Sequence, residues 1–258
     1  MNAIHISAVG IGVSDLAASK TFYTELVGLE YRTHRETAIG TENVLVDARG
    51  NTLLLTSYTR ARNYKNNPVK VVFAVPDVDA FYAKLLAGGA RKFNAPQTFG
   101  GMYLAMAYDP DGYIVECIQI ASVPSPLLIA VGIGVSDLKG AADYYTRVIG
   151  MKFVRDIAVP GFMDEKELAP LRKRGPSLVL MHYADKTRSY TDVPTRLVLA
   201  VDDAAALTDA LGREDSSKVL QAATAQEGTG TIASVLCDLD GYRLELQQVE
   251  KIEAARAP

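Results

Sequence analysis

The chain is poor in the residues that build metal and redox sites. Its 258 residues include three histidines and two cysteines. His5, His34 and His182 are widely separated, and Cys117 and Cys237 form no Cys-x-x-Cys, so no zinc-ribbon or thiol-redox motif is encoded. The two cysteines could pair in principle, but a reducing compartment favours a free thiol on each. Charge of one sign is also lacking. Lys and Arg number 27 against 30 Asp and Glu, a net charge of −3, and no basic stripe or polybasic segment is present. This argues against nucleic acid and membrane surfaces as partners. No apolar run is long enough to span a bilayer and the N-terminus lacks a signal-peptide pattern, so the expected location is cytoplasmic. There is no nucleophile elbow or P-loop. Gly10-x-Gly12 lies inside an apolar run without a third glycine, which removes it as a dinucleotide signal.

What is present is repetition. AVGIGVSDLAASKTFYTELVGLEY at residues 8–31 returns as AVGIGVSDLKGAADYYTRVIGMKF at residues 130–153, an offset of 122. In each copy a Val/Ile-rich run reads as a buried strand. Ser14 or Asp15 then suits a helix N-cap, as does Asp137 in the second copy. Leu16, Ser19, Phe22, Tyr23 and Leu26 follow at helical spacing, and Gly28 and Gly150 stand where a C-terminal cap is expected. A weaker inner repeat of strand, Asp and amphipathic helix occurs at residues 71–86 and 197–211. Each half closes on a hairpin signal, YDPDGYIVECIQ from Tyr108 and CDLDGYRLELQQ from Cys237.

The expected class is α+β: four modules of strand, helix and several strands, two per half, over residues 1–121 and 127–249. The Pro-containing SVPSP at 122–126 reads as an extended spacer, and residues 250–258 read as a frayed polar tail. Residues 32–52 are expected to hold the second and third strands, and LLLTSY at 53–58 the fourth. Residues 88–101 read as a loop-rich crossing. The charged DEKELAPLRKR within the insert at 159–176 reads as helical and interrupted by Pro170, either a lid or a solvated loop.

VSDL…FY…LVGLEY, its second copy and the two Asp-x-Asp-Gly-Tyr hairpins resemble the vicinal-oxygen-chelate superfamily of glyoxalase I, bleomycin-resistance proteins and extradiol dioxygenases. The resemblance covers nearly the whole chain. It implies four βαβββ modules, paired so that their mixed sheets curl into cups, two glyoxalase-like domains in all. Single-unit relatives usually dimerise to complete their cups. A fused second unit makes that pairing possible within one chain, so monomer and homodimer are both open.

In metal-using relatives the cup centre collects His, Gln or Glu from the first and last strands of its modules. The corresponding positions here are Ala8 and Ala130, Leu54 and Val179, and Lys70 and Arg196. Only the final hairpin keeps a carboxylate, Glu116 and Glu245. Strand alternation turns His5 away from Ala8 and His182 away from Val179. The expectation is therefore no metal and no cofactor, with Lys70–Glu116 and Arg196–Glu245 as ion pairs in the metal's place. An opposite charge keeps the carboxylate ionised, and a desolvated Lys70 can itself become a base. The catalytic candidates are Glu116, Lys70, Glu245 and Arg196. Tyr58 and Tyr183 should face the cups and Tyr103 should line the first one, which makes these three the ligand-binding candidates.

Three functions fit this residue set. The first is a metal-independent isomerase or lyase for a small oxygenated molecule, aromatic ones included. The second is a protein that binds and sequesters a small molecule without turnover, like bleomycin-resistance members. The third is a metal-dependent dioxygenase or glyoxalase with displaced ligands, which the Ala, Lys and Arg substitutions argue against.

Overall fold

A computed structural model describes residues 4–64, 67–185, 190, 192–214, 217–226 and 230–249. The tail expected at 250–258 lies outside them. Four modules follow one another. The first comprises β1 (His5–Gly12), α1 (Leu16–Thr21) running into a π-helical turn (Phe22–Val27), β2 (Glu30–Thr37), β3 (Gly40–Val46) and β4 (Thr52–Tyr58). The second is β5 (Val69–Val75), α2 (Val78–Ala87), β6 (Arg91–Phe99), β7 (Met102–Tyr108) and β8 (Ile114–Gln119). The third is β9 (Leu127–Gly134), α3 (Leu138–Asp143) with a π-helical turn (Tyr144–Val148), β10 (Lys152–Val159), β11 (Met163–Ala169) and β12 (Ser177–Tyr183). The fourth is β13 (Thr195–Val201), α4 (Ala204–Leu211), β14 (Lys218–Ala225), β15 (Ile232–Cys237) and β16 (Arg243–Gln248).

The modules pair across the two repeats. One eight-stranded sheet runs β14-β15-β16-β13-β1-β4-β3-β2 and joins the first module to the fourth. The other runs β10-β11-β12-β9-β5-β8-β7-β6 and joins the second to the third. Each sheet is closed at its centre by an antiparallel ladder between repeats, β1 with β13 and β5 with β9. Every cup therefore takes half its residues from each copy. The linker at 122–126 is a compact turn rather than a spacer, with Val123 buried against Ala74 and Leu127.

Local chemistry explains the recurring motifs. Asp15 and Asp137 cap their helices by accepting from two backbone N–H groups each. Gly28 and Gly150 end the π-helical turns at φ +98° and +91°, where a side chain is strained. The hairpin aspartates reach those same helices. Asp109 accepts from the Tyr113 and Asp111 backbone N–H groups and from the Tyr23 hydroxyl at 2.9 Å, and Asp111 accepts from Ser14 N. Asp238, Tyr242, Asp240, Tyr145 and Ser136 repeat the arrangement, with the Tyr145 contact at 2.6 Å. VSDL, the paired aromatics and Asp-x-Asp-Gly-Tyr thus form one strap, buried at its Tyr–Asp contact, that binds a helix on one sheet to a hairpin of the other. Burial pushes both Asp109 and Asp238 up to about 7, against the lowering effect of these donors.

Two segments differ from the sequence expectation. Residues 163–169 are strand β11, not a helix or loop. Met163, Glu165 and Leu168 are buried and Asp164 is exposed, and the strand pairs with both β10 and β12. Residues 91–99 are strand β6, whose register slips between Lys92 and Asn94 and between Asn94 and Gln97, accommodating Pro96. The final turn of the insert, residues 170–176, docks just before β1, where Ile4 O accepts from Leu171 N. No helix among the described residues is long and apolar enough to cross a membrane.

Candidate functional site

The cup of the second sheet encloses a cavity of about 560 Å³. Its wall is mainly apolar, and its floor carries a buried cation between two carboxylates. Lys70 Nζ lies 2.7 Å from Glu165 Oε1 and 2.9 Å from Glu116 Oε2, and all three side chains are at most 6% exposed. The Glu165 contact is an aligned hydrogen bond. Glu116 Oε2 is close enough for ion pairing but lies off the direction of a hydrogen bond, and this buried oxygen has no other donor among the described residues. Burial alone would drive Lys70 toward neutrality, but the two carboxylates outweigh it and hold the ammonium well above its ordinary value. Burial raises Glu165, with Lys70 opposing the shift. Lys70 is therefore a fixed charge and not the base its desolvation alone suggested.

The strand register builds this cluster. Lys70 on β5 stands opposite Gly132 on β9. A Cβ at Gly132 would lie 2.5 Å from Lys70 Cγ and 2.9 Å from Met181 Sδ. The glycine is the space in which the lysine stem lies flat. Gly10 does the same for Arg196, its partner across β1 and β13. Gly12 and Gly134 likewise clear room for Pro194 with Tyr58 and for Pro68 with Tyr190. The two glycines of AVGIGVSDL are thus explained by the neighbouring strand.

The cup of the first sheet repeats the floor with different charges. Arg196 Nη1 donates to Glu245 Oε1 at 3.1 Å, and its Nη2 donates to Glu42. Arg35 also donates to Glu42 and Arg243 to Glu245. Thr56 donates to the buried Glu42. The counterpart positions Ala8, Leu54 and Val198 form a small apolar cluster, as Ala130, Val179 and Val72 do in the second cup.

Of the sequence candidates, Lys70 meets Glu116 and Arg196 meets Glu245. Glu165 and Glu42 are the members sequence reasoning missed, one on each third strand. Tyr58 belongs to the first sheet beside Arg62, whose guanidinium lies 4.8 Å from its ring, and not with Lys70 and Glu116. Tyr183 belongs to the second sheet, buried behind Phe162 with ring centroids 5.6 Å apart. Tyr103 borders the cavity but turns its hydroxyl away to Asp79 of α2 at 3.0 Å. The alternation argument holds for His182, which contacts Val135 O. It fails for His5, because a bulge between Ile6 and Ala8 resets the parity and puts His5 on the Ala8 side. Its imidazole is depressed by burial and by Arg174 and Arg172 at the end of the sheet.

The model of the glyoxalase/bleomycin resistance protein/dioxygenase superfamily matches residues 5–117 and 128–246. The chain belongs to that superfamily. Among curated superfamily proteins, a lactoylglutathione lyase of Arabidopsis thaliana is 25% identical over 252 residues, covering 91% of this chain and 88% of its own. A lactoylglutathione lyase of Escherichia coli O157:H7 is 30% identical over 131 residues, covering 47% of this chain and 90% of its own. The crystal structure of glyoxalase I from Zea mays superposes with a TM-score of 0.82 at 22% identity, covering 96% of this chain and 93% of that one. That likeness concerns the fold.

Superfamily membership raises the question of a metal. A divalent ion between Glu116 and Glu165 would have to displace the Lys70 ammonium that already bridges them, and Arg196 stands in the same relation to Glu42 and Glu245. Among the described residues no three His, Cys, Asp or Glu side chains gather as a metal-binding group. A divalent cation does not fit either donor set.

Proposed function

We propose that the chain is a metal-independent isomerase or lyase acting on a small oxygenated molecule in the cup of the second sheet. The Glu116–Lys70–Glu165 cluster on the floor of the cavity carries this reading. The Glu116 carboxylate is the base. It takes a proton from a substrate carbon made acidic by an adjacent carbonyl. As the C–H bond breaks, its electron pair moves onto the carbonyl oxygen, and one negative charge passes from Glu116 to substrate. Lys70 lies close enough to hold that charge before and after the transfer, so the floor's net charge stays constant while the charge moves. The proton then returns from Glu116. Arg196 and Glu245 maintain the first cup by the same pairing. Small uncharged 2-hydroxyaldehydes and hydroxyketones are the first compounds to test, with lactoylglutathione, taken from the named activity of the Arabidopsis and E. coli relatives, beside them as the anionic comparison.

Solvent-deuterium exchange tests the proposal, because it detects proton removal even when no net product accumulates. Incubation in D₂O, followed by NMR, should show deuterium at the carbon next to the carbonyl. Glu116→Gln should lower that rate by roughly 10²–10⁴-fold while affinity is kept. Absence of exchange across the series rejects turnover. The second reading, sequestration without turnover, has its own support in Phe162, which lines the cavity and packs between Phe93 and Tyr183. On that reading Phe162→Ala weakens binding and Glu116→Gln changes no rate.

A further inference from the structure

We infer that the second cup selects an uncharged, largely apolar ligand that presents one hydroxyl or N–H group to Glu116, and that it rejects anions. The inference rests on reading this cavity as the functional site. It does not depend on turnover.

Two observations carry it. The first is the Glu116 carboxylate, which lines the cavity and takes its one close donor among the described residues, Lys70, at Oε2. A carboxylate accepts at both of its oxygens, so a ligand that supplies a donor fills acceptor capacity the protein leaves unused. A ligand offering only an acceptor gains nothing from it. The second is the charge around the cavity. The ionisable groups on its lining are Lys70 and Arg155 against Glu116, Glu165 and Glu167, two cations facing three carboxylates. Lys70 is committed to Glu116 and Glu165, and Arg155 Nε to Glu167 at 2.7 Å. An entering carboxylate or phosphate meets an excess negative charge and no uncommitted cation on the lining. The low dielectric of a mostly apolar wall strengthens that repulsion. The floor of the first cup is built differently, with Arg35, Arg196 and Arg243 paired to Glu42 and Glu245.

Three probes of one shape separate these contributions: 2-naphthol, 2-methoxynaphthalene and 2-naphthoate, titrated by calorimetry at pH 8 into the full chain. The expected order is naphthol at least about tenfold tighter than the methyl ether, with naphthoate weakest. Glu165→Gln keeps the acceptor and removes a charge, so it should retain the naphthol preference and relax the exclusion of naphthoate. Glu116→Met removes the acceptor and should bring naphthol down to the methyl ether. Equal binding of naphthol and its ether, tightest binding of naphthoate, or no binding of any probe overturns the inference. A naphthol preference without deuterium exchange defeats turnover alone. Exchange without the preference defeats the selectivity alone.

Discussion

At the residue scale, the floor of each cup is one cation held between carboxylates from two different strands, and removing single members should be far worse than removing all. Lys70→Met leaves Glu116 and Glu165 buried side by side without their counter-charge, a loss of about 3–5 kcal/mol in urea unfolding. Adding Glu116→Gln and Glu165→Gln to that variant should recover most of the loss. If the single variant unfolds like wild type, the cluster is not the electrostatic unit described. Gly132→Ala probes the same site by shape. Its methyl group would press on the Lys70 stem and Met181, so a destabilisation of about 1–3 kcal/mol is expected, with weaker ligand binding. Gly10→Ala presses on Arg196 instead and should leave ligand binding in the second cup unchanged.

The element scale decides how far the site could be read from sequence. Lys70, Glu116, Arg196 and Glu245 were legible because each is anchored by a nearby proline or hairpin in both copies. Glu165 was hidden because β11 carries Asp164, Glu165, Lys166 and Glu167 in a row, and Pro170 follows. The period-2 signal of a strand requires apolar residues on the inward face, and here the inward face is itself charged. The repeat held one clue, since Glu42 and Glu165 lie 123 residues apart, one more than the offset of the first strands. The turn of the Tyr103 hydroxyl toward Asp79 was not legible, because strand β7 presents Leu104 and Met106 to the cup and sends the polar end of their neighbour to α2.

The helix-to-hairpin straps make a prediction on the same scale. Asp109 and Asp238 are raised by burial from 3.8 to about 7. Between those values the native state holds protons that the unfolded chain has released. These two groups therefore lose stability as pH rises from about 4 to 7 and contribute a constant penalty above it. His5, whose imidazole is depressed, acts in the opposite direction below its ordinary value of 6.5. Comparison with Asp109→Asn/Asp238→Asn isolates the carboxylates. Wild type should gain on the order of 1 kcal/mol or more per carboxylate between pH 8 and pH 5.5, relative to the double variant. Parallel pH profiles for the two proteins refute the assignment.

At the scale of the whole molecule, the two repeats are not two separate bodies. The β1–β13 and β5–β9 ladders tie them through the centre of both sheets. A protease site engineered into residues 122–126 should therefore cut the chain without separating it. The two fragments should co-elute in size-exclusion chromatography under native conditions and part only in denaturant. Elution as two independent folded halves contradicts the shared sheets.

The shared sheets also bear on mass action. A cup assembled from two free polypeptides comes apart when diluted below its dissociation constant. Here both contributions travel on one chain, at an effective concentration fixed by a short turn. The cups should persist at nanomolar protein, and the unfolding midpoint should not move with protein concentration.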